Sequence, residues 1–559
     1  MSNEFETHDV FNQSPPIDEF DLFSNDTVLS EGVEREGASW AREELREIGT
    51  IAGSNDAREL GRLANLYTPV LKTHDRFGHR LDVVEYHPAY HDLMRMAFGF
   101  GLHSDPWSNP REGAHVARAA KILVWYQVEA GHICPVSMTY AIVPALRHEP
   151  NTAAIWEPLI RSRNYDPANL PSSQKSGLTC GMALTEKQGG SDVRSNTTRA
   201  TPTRADDGSY LLTGHKWFCS APMSDAFLML AQAPGGLSCF WVPRWQADGT
   251  RNPIHIERLK DKLGDRSNAS SEIEMLDVSA QLVGGEGNGI RTIIEMINHT
   301  RLDCAIGSAA IMRQGVTEAI WHTGHRAAFG KPLIEQPAMT DVLADLAIES
   351  EAATMSVLRL ARCYDEGETS ESEKLLQRLL TPAIKYWTCK RAPQHASEAL
   401  ECLGGNGFVE ESTMARVFRQ SPVNGIWEGA GDVICLDVVR ALTRSPDTLE
   451  ALWSEVSCAK GQIASFDRSL RDLKLLLEPE HIQTQELISC AREVSERIAL
   501  IVQASLLIRY SPNEIAEVFC ASRLDGSGNG IFGTFWRKNT TDMHATARRI
   551  IQRHAPWYE

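Results

Sequence analysis

Glu428 is the residue whose surroundings first suggest chemistry. It lies between the aromatic side chain of Trp427 and three small residues, Gly429, Ala430 and Gly431, and a helical pattern follows at once. One interpretation makes Glu428 a helix-start acid, which the positive end of the helix dipole favours. The other makes it a catalytic base that faces a cavity from which Trp427 helps to exclude water. Its immediate neighbours do not decide between the two.

A second candidate is the stretch GMALTEKQGGSDVRSNTT. Gly189 and Gly190 allow the backbone to approach a ligand closely, while Thr185, Ser191 and Asn196 offer short polar side chains. Such donors suit a flat, hydrogen-bonding cofactor that carries phosphate. A simple turn explains the glycines equally well.

Three further stretches could contact such a cofactor. In GHKWFCS, Trp217 and Phe218 could pack against a ring system and Ser220 could donate a hydrogen bond, although core packing of a strand is the alternative. Arg326 could pair with a pyrophosphate through two hydrogen bonds, or be a solvated residue at a helix end. The glycines of LECLGGNGF could cap a helix or let the backbone approach a nucleotide. They are Gly404, Gly405 and Gly407.

The composition restricts the class of protein. The chain has 559 residues with 42% hydrophobic content, so we expect three or four domains. Its first residues are polar and acidic, so we expect no signal peptide, and no apolar run reaches the roughly 18–20 residues that span a bilayer. The 12 cysteines show no metal-ligand spacing, which argues against a zinc or iron–sulfur site and favours a cytoplasmic protein. The net charge of −17 opposes contact with nucleic acid except through a local basic patch.

The alternation of helical and strand-like patterns predicts the architecture. Short segments rich in strand formers predict a small antiparallel β domain between two helical regions. The helical periodicities after it have the number and length of a four-helix bundle, and a further helical region follows the breaker RSPDT. We expect an N-terminal extended arm at 1–35, a helical domain at 36–177, the β domain at 178–284, the bundle at 285–444 and a helical extension at 445–559. The four predicted bundle helices are 286–327, 338–365, 371–403 and 431–444.

Taken in this order, the motifs resemble those of the flavin-dependent acyl-CoA dehydrogenases over about residues 40–445. The similarity is greatest to the AidB-type branch, the bacterial homologues of the adaptive response to DNA alkylation. It is carried by TEKQGGSDVRSNTTRA, GHKWFCS, RLKDKLGDRSNASSE and NGIWEGAGDVICLDVVR, together with the extension. The resemblance implies a mainly α fold with a central β domain, bound FAD, a homotetramer, an acyl-CoA or related acyl substrate, and double-stranded DNA bound through the extension.

The resemblance also implies roles for individual residues. The turn at 182–191 and the aromatic strand would contact the flavin, and residues 426–436 would close its pocket. Arg326, Phe329 and the glycine turn would reach an FAD held mainly by a neighbouring subunit. The implied cofactor-binding residues are Met182, Thr185, Gln188, Gly189, Gly190, Ser191, Trp217, Phe218, Ser220, Arg326, Phe329, Gly404, Gly405, Gly407, Ile426, Trp427, Gly429 and Gly431.

Glu428 falls where many of these enzymes have their catalytic base, which favours the catalytic interpretation. The implied reaction removes a weakly acidic proton next to a thioester carbonyl, while a hydride leaves the β carbon for the flavin. It needs a carboxylate in a dry site, with its pKa raised towards ~6–7, and hydrogen bonds to the thioester oxygen. The isovaleryl-type enzymes have their base just before an arginine of the first bundle helix. Thr300 precedes Arg301 here, so we infer no isovaleryl specificity.

The extension is nearer to neutral than the rest of the chain. Residues 445–559 carry 13 basic and 15 acidic side chains, a balance of −2 against −15 for the remainder. A solvated helix face is the simplest interpretation of its basic end, but the resemblance favours contacts to DNA phosphates without base readout. The implied DNA-binding residues are Arg537, Lys538, Arg548, Arg549 and Arg553. Because all flavin motifs lie upstream, we also expect a chain truncated after Leu442 to fold.

Two other functions stay open at this point. The chain could be an ordinary metabolic acyl-CoA dehydrogenase whose extension serves only assembly. It could also be a non-catalytic protein that uses flavin as a structural ligand and binds DNA or acyl chains. The resemblance leaves open the physiological substrate and the acyl chain length.

Overall fold

The computed structural model describes residues 7–203, 207–478, 484–525, 530–534 and 543–558. The N-terminal region is helical apart from one hairpin, β1–β2, which the sequence analysis did not predict. Helices α6 (Ala114–Trp125) and α7 (Ile133–Leu146) are buried on nearly all faces, because most of their residues are small or apolar. The buried cations Arg118 and Lys121 of α6 pair with Asp303 and Asp105. The elements are α1 (Thr27–Arg35), α2 (Arg42–Ala52), α3 (Asn55–Leu66), β1 (Val70–His74), β2 (Arg80–Glu85), α4 (Pro88–Gly99), α5 (Asp105–Ser108), α6 (Ala114–Trp125), α7 (Ile133–Leu146) and α8 (Pro150–Ile160).

The prediction of an extended arm over residues 1–35 is wrong for its last part. Helix α1 begins where the Asp26 carboxylate accepts a hydrogen bond from the amide of Leu29 at 3.0 Å. Asp26 also pairs with Arg313 at 3.1 Å, and Phe23 is buried in the core. Part of the acidic segment therefore caps a helix and packs against the rest of the molecule.

The β domain consists of seven strands. Their order is β3-β6-β4-β5-β9-β7, with β8 on β9, and β7 also pairs with β6, so that five strands close into a ring. Most pairings are antiparallel, as predicted, but β3 and β4 both pair with β6 in parallel. This is possible because residues 184–198 form a connection long enough to cross from β3 to β4 and leave space for β6. The strands are β3 (Cys180–Ala183), β4 (Arg199–Pro202), β5 (Ser209–Ser220), β6 (Ala226–Ala233), β7 (Gly236–Pro243), β8 (Ile254–Leu259) and β9 (Ser270–Val283).

Four long helices follow the β domain, each within a few residues of its predicted range. The first and third run side by side in the same direction, since the Cys389 thiol lies 3.4 Å from the carbonyl oxygen of Cys304 and Gly315 faces Ala399. The first helix has 37 residues and is therefore about 55 Å long. The elements of this region are α9 (Gly289–His325), β10 (Ala327–Ala328), β11 (Lys331–Pro332), α10 (Pro337–Glu366), α11 (Glu371–Cys402), α12 (Gly405–Phe408), α13 (Thr413–Gln420) and α14 (Gly431–Arg444).

The helical extension is part of the same core as the bundle. Its apolar residues join the buried cluster that contains α9, α10 and α11. Arg523 pairs with Asp345 at 2.5 Å and with Glu349 at 2.9 Å, both on α10. This packing argues against the expectation that the chain folds without its extension. The helices are α15 (Asp447–Ser457), α16 (Ala464–Leu476), α17 (Thr484–Ser489), α18 (Ala491–Tyr510), α19 (Asn513–Phe519) and α20 (Met543–His554).

Among the helices of the described ranges, none is long and apolar enough to cross a membrane. The same part of the chain holds no cluster of His, Cys, Asp and Glu side chains that could bind a metal ion.

Candidate active site

Glu428 occupies a sharp turn just before α14. Its backbone lies in the left-handed region, with φ +59°, and Gly429 follows with φ +111°. A left-handed conformation is costly for a residue with a Cβ, so other contacts must stabilise it. Position 429 requires glycine, because a Cβ there would lie 2.9 Å from the side chain of Ile434. The turn directs the half-buried Glu428 side chain towards α9.

Two cations hold the backbone of this turn. The Nε atom of Arg301 donates to the carbonyl oxygen of Glu428 at 3.0 Å. The Nζ atom of Lys385 donates to the carbonyl oxygens of Trp427 at 3.0 Å and Gly429 at 2.7 Å. Three consecutive carbonyl groups are thus bound from α9 and α11. These contacts supply the stabilisation that the left-handed turn needs.

The pKa of the Glu428 carboxyl group is raised above its ordinary value of 4.5. Burial is the main cause, and it is opposed by a hydrogen bond from Thr300 and by the charges of Arg301 and Lys385. A carboxylate whose pKa is raised by partial shielding from water suits proton abstraction from carbon. The environment of Glu428 therefore favours a base over a helix-start acid.

The rest of this segment closes the site from one side. The indole N–H of Trp427 donates to Asn424 at 3.0 Å, and Asn424 donates to the hydroxyl of Tyr126 at 3.2 Å, which fixes the ring. Ile426 is 64% exposed, and Gly431 begins α14. An exposed isoleucine beside the proposed base is available to cover a ligand.

A buried carboxylate shapes the predicted flavin turn. Glu186 accepts hydrogen bonds from the Lys216 ammonium at 2.8 Å and from the amides of Thr197 at 2.6 Å and Thr198 at 3.2 Å. The side chain of Gln188 also donates to Glu186, at 2.9 Å. This predicted contact residue is therefore directed into the turn, where it stabilises the loop.

The same turn presents unpaired donors on its outer side. Gly190 must be glycine, because a Cβ there would lie 2.3 Å from the Thr185 hydroxyl. Within the ranges that the structure describes, the amides of Gly190 and Ser191 have no hydrogen-bond partner, and Ser191 is exposed. Gly189 is extended outwards in open space, and Met182 is half-buried on β3. Free amides beside short hydroxyl side chains fit a ligand that accepts hydrogen bonds.

A β-bulge places the two predicted aromatic residues together. The pairing of β5 with β9 shifts between Lys216 and Cys219, which allows neighbouring side chains to share one face. The Lys260 ammonium accordingly lies 3.2 Å from the ring centre of Trp217 and 4.8 Å from that of Phe218. Phe218 is 47% exposed, so the pair offers an accessible aromatic surface.

Hydrogen bonds join this aromatic strand to its surroundings. The amide of Trp217 donates to the carbonyl oxygen of Thr185 at 2.8 Å, which places the donor turn beside the rings. The hydroxyl of Ser220 lies 3.4 Å from that of Ser270, which accepts from Lys262 at 3.0 Å. Lys262 also donates to Asp265, whose amide donates to Gln420 in α13. The end of β5 therefore faces the bundle rather than bulk solvent.

Arg326 and Phe329 lie at the far end of the bundle. Arg301 and Arg326 are 25 residues apart along α9, which corresponds to about 37 Å along the helix axis. Phe329 is 98% exposed at the tip of the hairpin β10–β11. Within one chain, Arg326 and Phe329 are therefore far from Glu428. The glycine turn after α11 is also far from Glu428, because α11 runs parallel to α9. That turn contains Gly404, with φ +58°, Gly405 and Gly407.

The N-terminal segment holds this hairpin. The side chain of Asn12 donates to the carbonyl oxygen of Ala327 at 2.9 Å and accepts from its amide at 2.7 Å. Arg326 donates to the carbonyl oxygen of Asn12 at 2.8 Å. Asn12 is itself left-handed, with φ +55°, a conformation that asparagine tolerates.

The basic residues predicted to bind DNA differ in their availability. Arg553 pairs with Glu31 at 2.5 Å and with the buried Glu351 at 3.2 Å, contacts that favour a structural role over the predicted contact to DNA. Arg549 pairs with Glu514 at 3.0 Å, but its side chain is 55% exposed. Arg548 is exposed on α20. Arg537 and Lys538 lie outside the described residues.

Sequence reasoning missed four residues that support the predicted positions, three near Glu428 or the donor turn and one at the far hairpin. Lys385 had a visible signal, since it is a lone charge in the apolar helical stretch PAIKYW. Glu186 and Lys260 had none, because each acts through a partner on another strand. Asn12 could not be found from the sequence, since its partners lie more than 300 residues away.

Comparisons with known proteins identify the family of this chain. Three family models match in order: "Adaptive response protein AidB N-terminal domain" at 12–167, "Acyl-CoA dehydrogenase, middle domain" at 181–278 and "Acyl-CoA dehydrogenase, C-terminal domain" at 287–443. The protein "Putative acyl-CoA dehydrogenase AidB" of Escherichia coli (strain K12) is 46% identical over 526 residues, which are 94% of this chain and 96% of that protein. The chain belongs to the acyl-CoA dehydrogenase family. It is an AidB-type, FAD-dependent oxidoreductase of that family.

Solved structures confirm the predicted acyl-CoA dehydrogenase fold. The crystal structure of Caenorhabditis elegans ACDH-11 in complex with C11-CoA superimposes with a TM-score of 0.85 at 27% identity, and covers 93% of this chain and 94% of that one. The apo-form of Bd2924 superimposes with a TM-score of 0.81 at 28% identity, and covers 90% of this chain and all of that one. Both similarities extend over the helical extension as well as the three dehydrogenase domains.

Proposed function

We propose that this acyl-CoA dehydrogenase homologue dehydrogenates an acyl-CoA thioester between its α and β carbons, with Glu428 as the base. The observation that carries the proposal is the raised pKa of Glu428 on a backbone turn fixed by two cations. Burial makes the ionised carboxylate a stronger base than one in water. The backbone contacts hold it in one place, as proton transfer requires.

The residues present fit FAD. The free amides of Gly190 and Ser191 suit acceptor groups of the cofactor, and the exposed surface of Phe218 and Trp217 suits its ring. FAD, when bound, supplies the acceptor for the hydride from the β carbon. The protein's own part is to orient the thioester, exclude water with Trp427 and Ile426, and receive the α-proton on Glu428.

We also propose that the protein is a homotetramer in which Arg326 and Phe329 contact the FAD of a neighbouring subunit. This rests on the separation of about 37 Å along α9 between Arg326 and Arg301, too long for one chain to place both at one flavin ring. The exposed Phe329 on a left-handed turn is an apolar group without a partner in its own described chain. The glycine turn at 404–407 would lie at the same contact.

The test starts with aerobic purification and a visible spectrum. We expect a yellow protein whose FAD bleaches when acyl-CoA substrates of increasing chain length are added under anaerobic conditions. Free CoA and the corresponding fatty acids are the controls, since neither contains the thioester. A yellow protein that no acyl-CoA bleaches would reject the catalytic part, and a colourless protein that cannot take up FAD would reject the cofactor site.

A second proposed function is binding of double-stranded DNA, within the cytoplasm, as part of the adaptive response to DNA alkylation. The observation that favours it is the pair of exposed arginines, Arg548 and Arg549, on the last helix of a chain whose charge is otherwise strongly negative. The AidB family model over residues 12–167 supports the link to the adaptive response.

Its test is binding to two duplexes of unrelated sequence over a range of salt concentrations. Exchange of both Arg548 and Arg549 for alanine should weaken binding to both duplexes alike and flatten the dependence on salt, because fewer counterions are released. The matched control exchanges Arg42 and Arg46, two exposed arginines of α2, for alanine. Equal binding by the double variant and the native chain would reject these residues as the contact.

A further inference from the structure

Lys385 is a buried cation that the proposed reaction does not use directly. It lies on α11 with 1% of its surface exposed and forms no ion pair with any residue in the described ranges. A buried charge is normally paired, because its removal from water is costly. Among the residues that the structure describes, Lys385 donates hydrogen bonds to two carbonyl oxygens.

Both carbonyl groups belong to the neighbours of Glu428. Lys385 donates to Trp427 at 3.0 Å and to Gly429 at 2.7 Å, on either side of the left-handed residue. A lysine with only a packing role could satisfy its ammonium at any carbonyl group of the core. The ammonium instead contacts the carbonyl groups of the two residues that flank Glu428, the proposed base.

We propose that Lys385 is a positioning residue that holds the turn at 427–429 in its left-handed conformation and so directs the Glu428 carboxylate at the substrate. The inference rests on the proposed function of Glu428. It separates two tasks. Arg301 joins the turn to α9 and is neutralised by Asp437 at 2.7 Å. Lys385 has no acidic partner within the described ranges, so its charge beside the turn is not neutralised by an ion pair there.

Several groups face Glu428 from three elements. Thr300, Arg301 and Cys304 lie on α9, Cys134 lies on α7, and Lys385 lies on α11. Loss of Lys385 would remove one of the two positive charges that favour the ionised carboxylate. It would leave the opposing effect of burial unchanged.

The test compares Lys385→Met with Lys374→Met in the full-length, FAD-loaded protein. Lys374 is an exposed lysine on the same helix, so its variant controls for the loss of one charge. We expect Lys385→Met to retain FAD but to slow flavin bleaching by about 10-fold to 100-fold, the cost of a misplaced catalytic group. We also expect the midpoint of the rise in bleaching rate with pH to lie at a higher pH in Lys385→Met than in the native chain. Unchanged rates and an unchanged pH profile would overturn the proposal.

A second variant and a second readout cover the remaining outcomes. If Lys385→Met does not fold, Lys385→Gln, which keeps a donor for one carbonyl group, should fold and show a smaller effect in the same direction. If no acyl-CoA bleaches the native protein, the proposed reaction fails but the positioning role is still measurable. Amide hydrogen exchange over residues 426–430 should then be about 10-fold faster in the variant, as expected for a loosened turn. Equal exchange in native and variant protein would overturn it.

Discussion

The Nε atom of Arg301 donates a hydrogen bond to the carbonyl oxygen of Glu428 at 3.0 Å, so that the first bundle helix contacts the proposed base through its backbone. The same guanidinium pairs with Asp437 at 2.7 Å, and Asp437 pairs with Arg378 at 2.8 Å. Arg301 therefore supports the turn without forming an ion pair with the Glu428 carboxylate. This arrangement lets burial dominate the pKa of Glu428 while its position stays fixed.

The raised pKa of Glu428 should make the base a cost to stability. A carboxyl group whose pKa is raised by folding keeps its proton longer in the native state, so its stability contribution is lost as pH rises above about 4.5. We expect Glu428→Gln to melt at a higher temperature than the native chain near pH 7, and at about the same temperature near pH 4. The exposed Asp432→Asn controls for loss of an acid in the same segment. If the difference in melting temperature between Glu428→Gln and the native chain does not grow with pH, the burial of the Glu428 carboxyl group is contradicted.

Arg553 should behave as a structural residue. Burial would raise the pKa of its partner Glu351, but the hydrogen bond from His554 and the charge of Arg553 lower it to about 2. Arg553→Ala leaves a buried carboxylate with fewer partners, and breaking such a pair costs roughly 3 kcal/mol. We expect a lower unfolding temperature with DNA binding kept at temperatures where the protein is folded. Arg548→Ala should leave the unfolding temperature unchanged, and a reversed pattern would contradict these assignments.

Removal of the extension should destroy the fold. Truncation after Leu442 removes the helices that cover α10 and α11, and it leaves Asp345 and Glu349 without Arg523. Exposed apolar surface and unpaired buried acids both oppose folding. We expect an aggregated product without FAD, as seen by size-exclusion chromatography. A soluble, yellow truncated protein would show that the extension is separable.

Asn12 should affect FAD at a distance. Asn12→Ala loses two hydrogen bonds to Ala327 and loosens the hairpin that presents Arg326 and Phe329. We expect FAD to bind about 10-fold more weakly, the equivalent of one net hydrogen bond, whereas the neighbouring exposed Gln13→Ala binds normally. If Asn12 and Arg326 both affect FAD through the hairpin, adding Asn12→Ala to Arg326→Ala should cause little further loss of FAD affinity. Additive losses measured by flavin titration would contradict this route.

The sequence predicts the elements of this protein better than it predicts their partners. The four bundle helices lie near their predicted ranges and the strands β3 to β9 lie within the predicted β region, because helical periodicity and strand-forming residues are local signals. Glu428, Thr185 and Trp217 could be proposed as site residues from their chemical type, their immediate neighbours and the family resemblance. The prediction of an extended arm was wrong for its last part because Phe23 is buried against the rest of the molecule. Such a long-range contact leaves no local pattern in the sequence.

Long-range pairing explains the remaining differences. The availability of Arg553 was overestimated because its partner Glu31 is more than 500 residues away along the chain. Lys385 went unnoticed because its role depends on two carbonyl groups of a distant turn. Side-chain type predicted a basic helix face, but only the fold shows which charges are already paired.

The most direct test of the account is the rate of anaerobic flavin bleaching by an active acyl-CoA, measured for native protein and Glu428→Gln. Because glutamine keeps the shape of the side chain but cannot accept the α-proton, we expect the variant to retain FAD and to lose at least ~10²-fold in rate. In the native protein the rate should rise with pH as Glu428 ionises above its ordinary pKa of 4.5. Equal rates and equal pH profiles in the two proteins would contradict the assignment of Glu428 as the base.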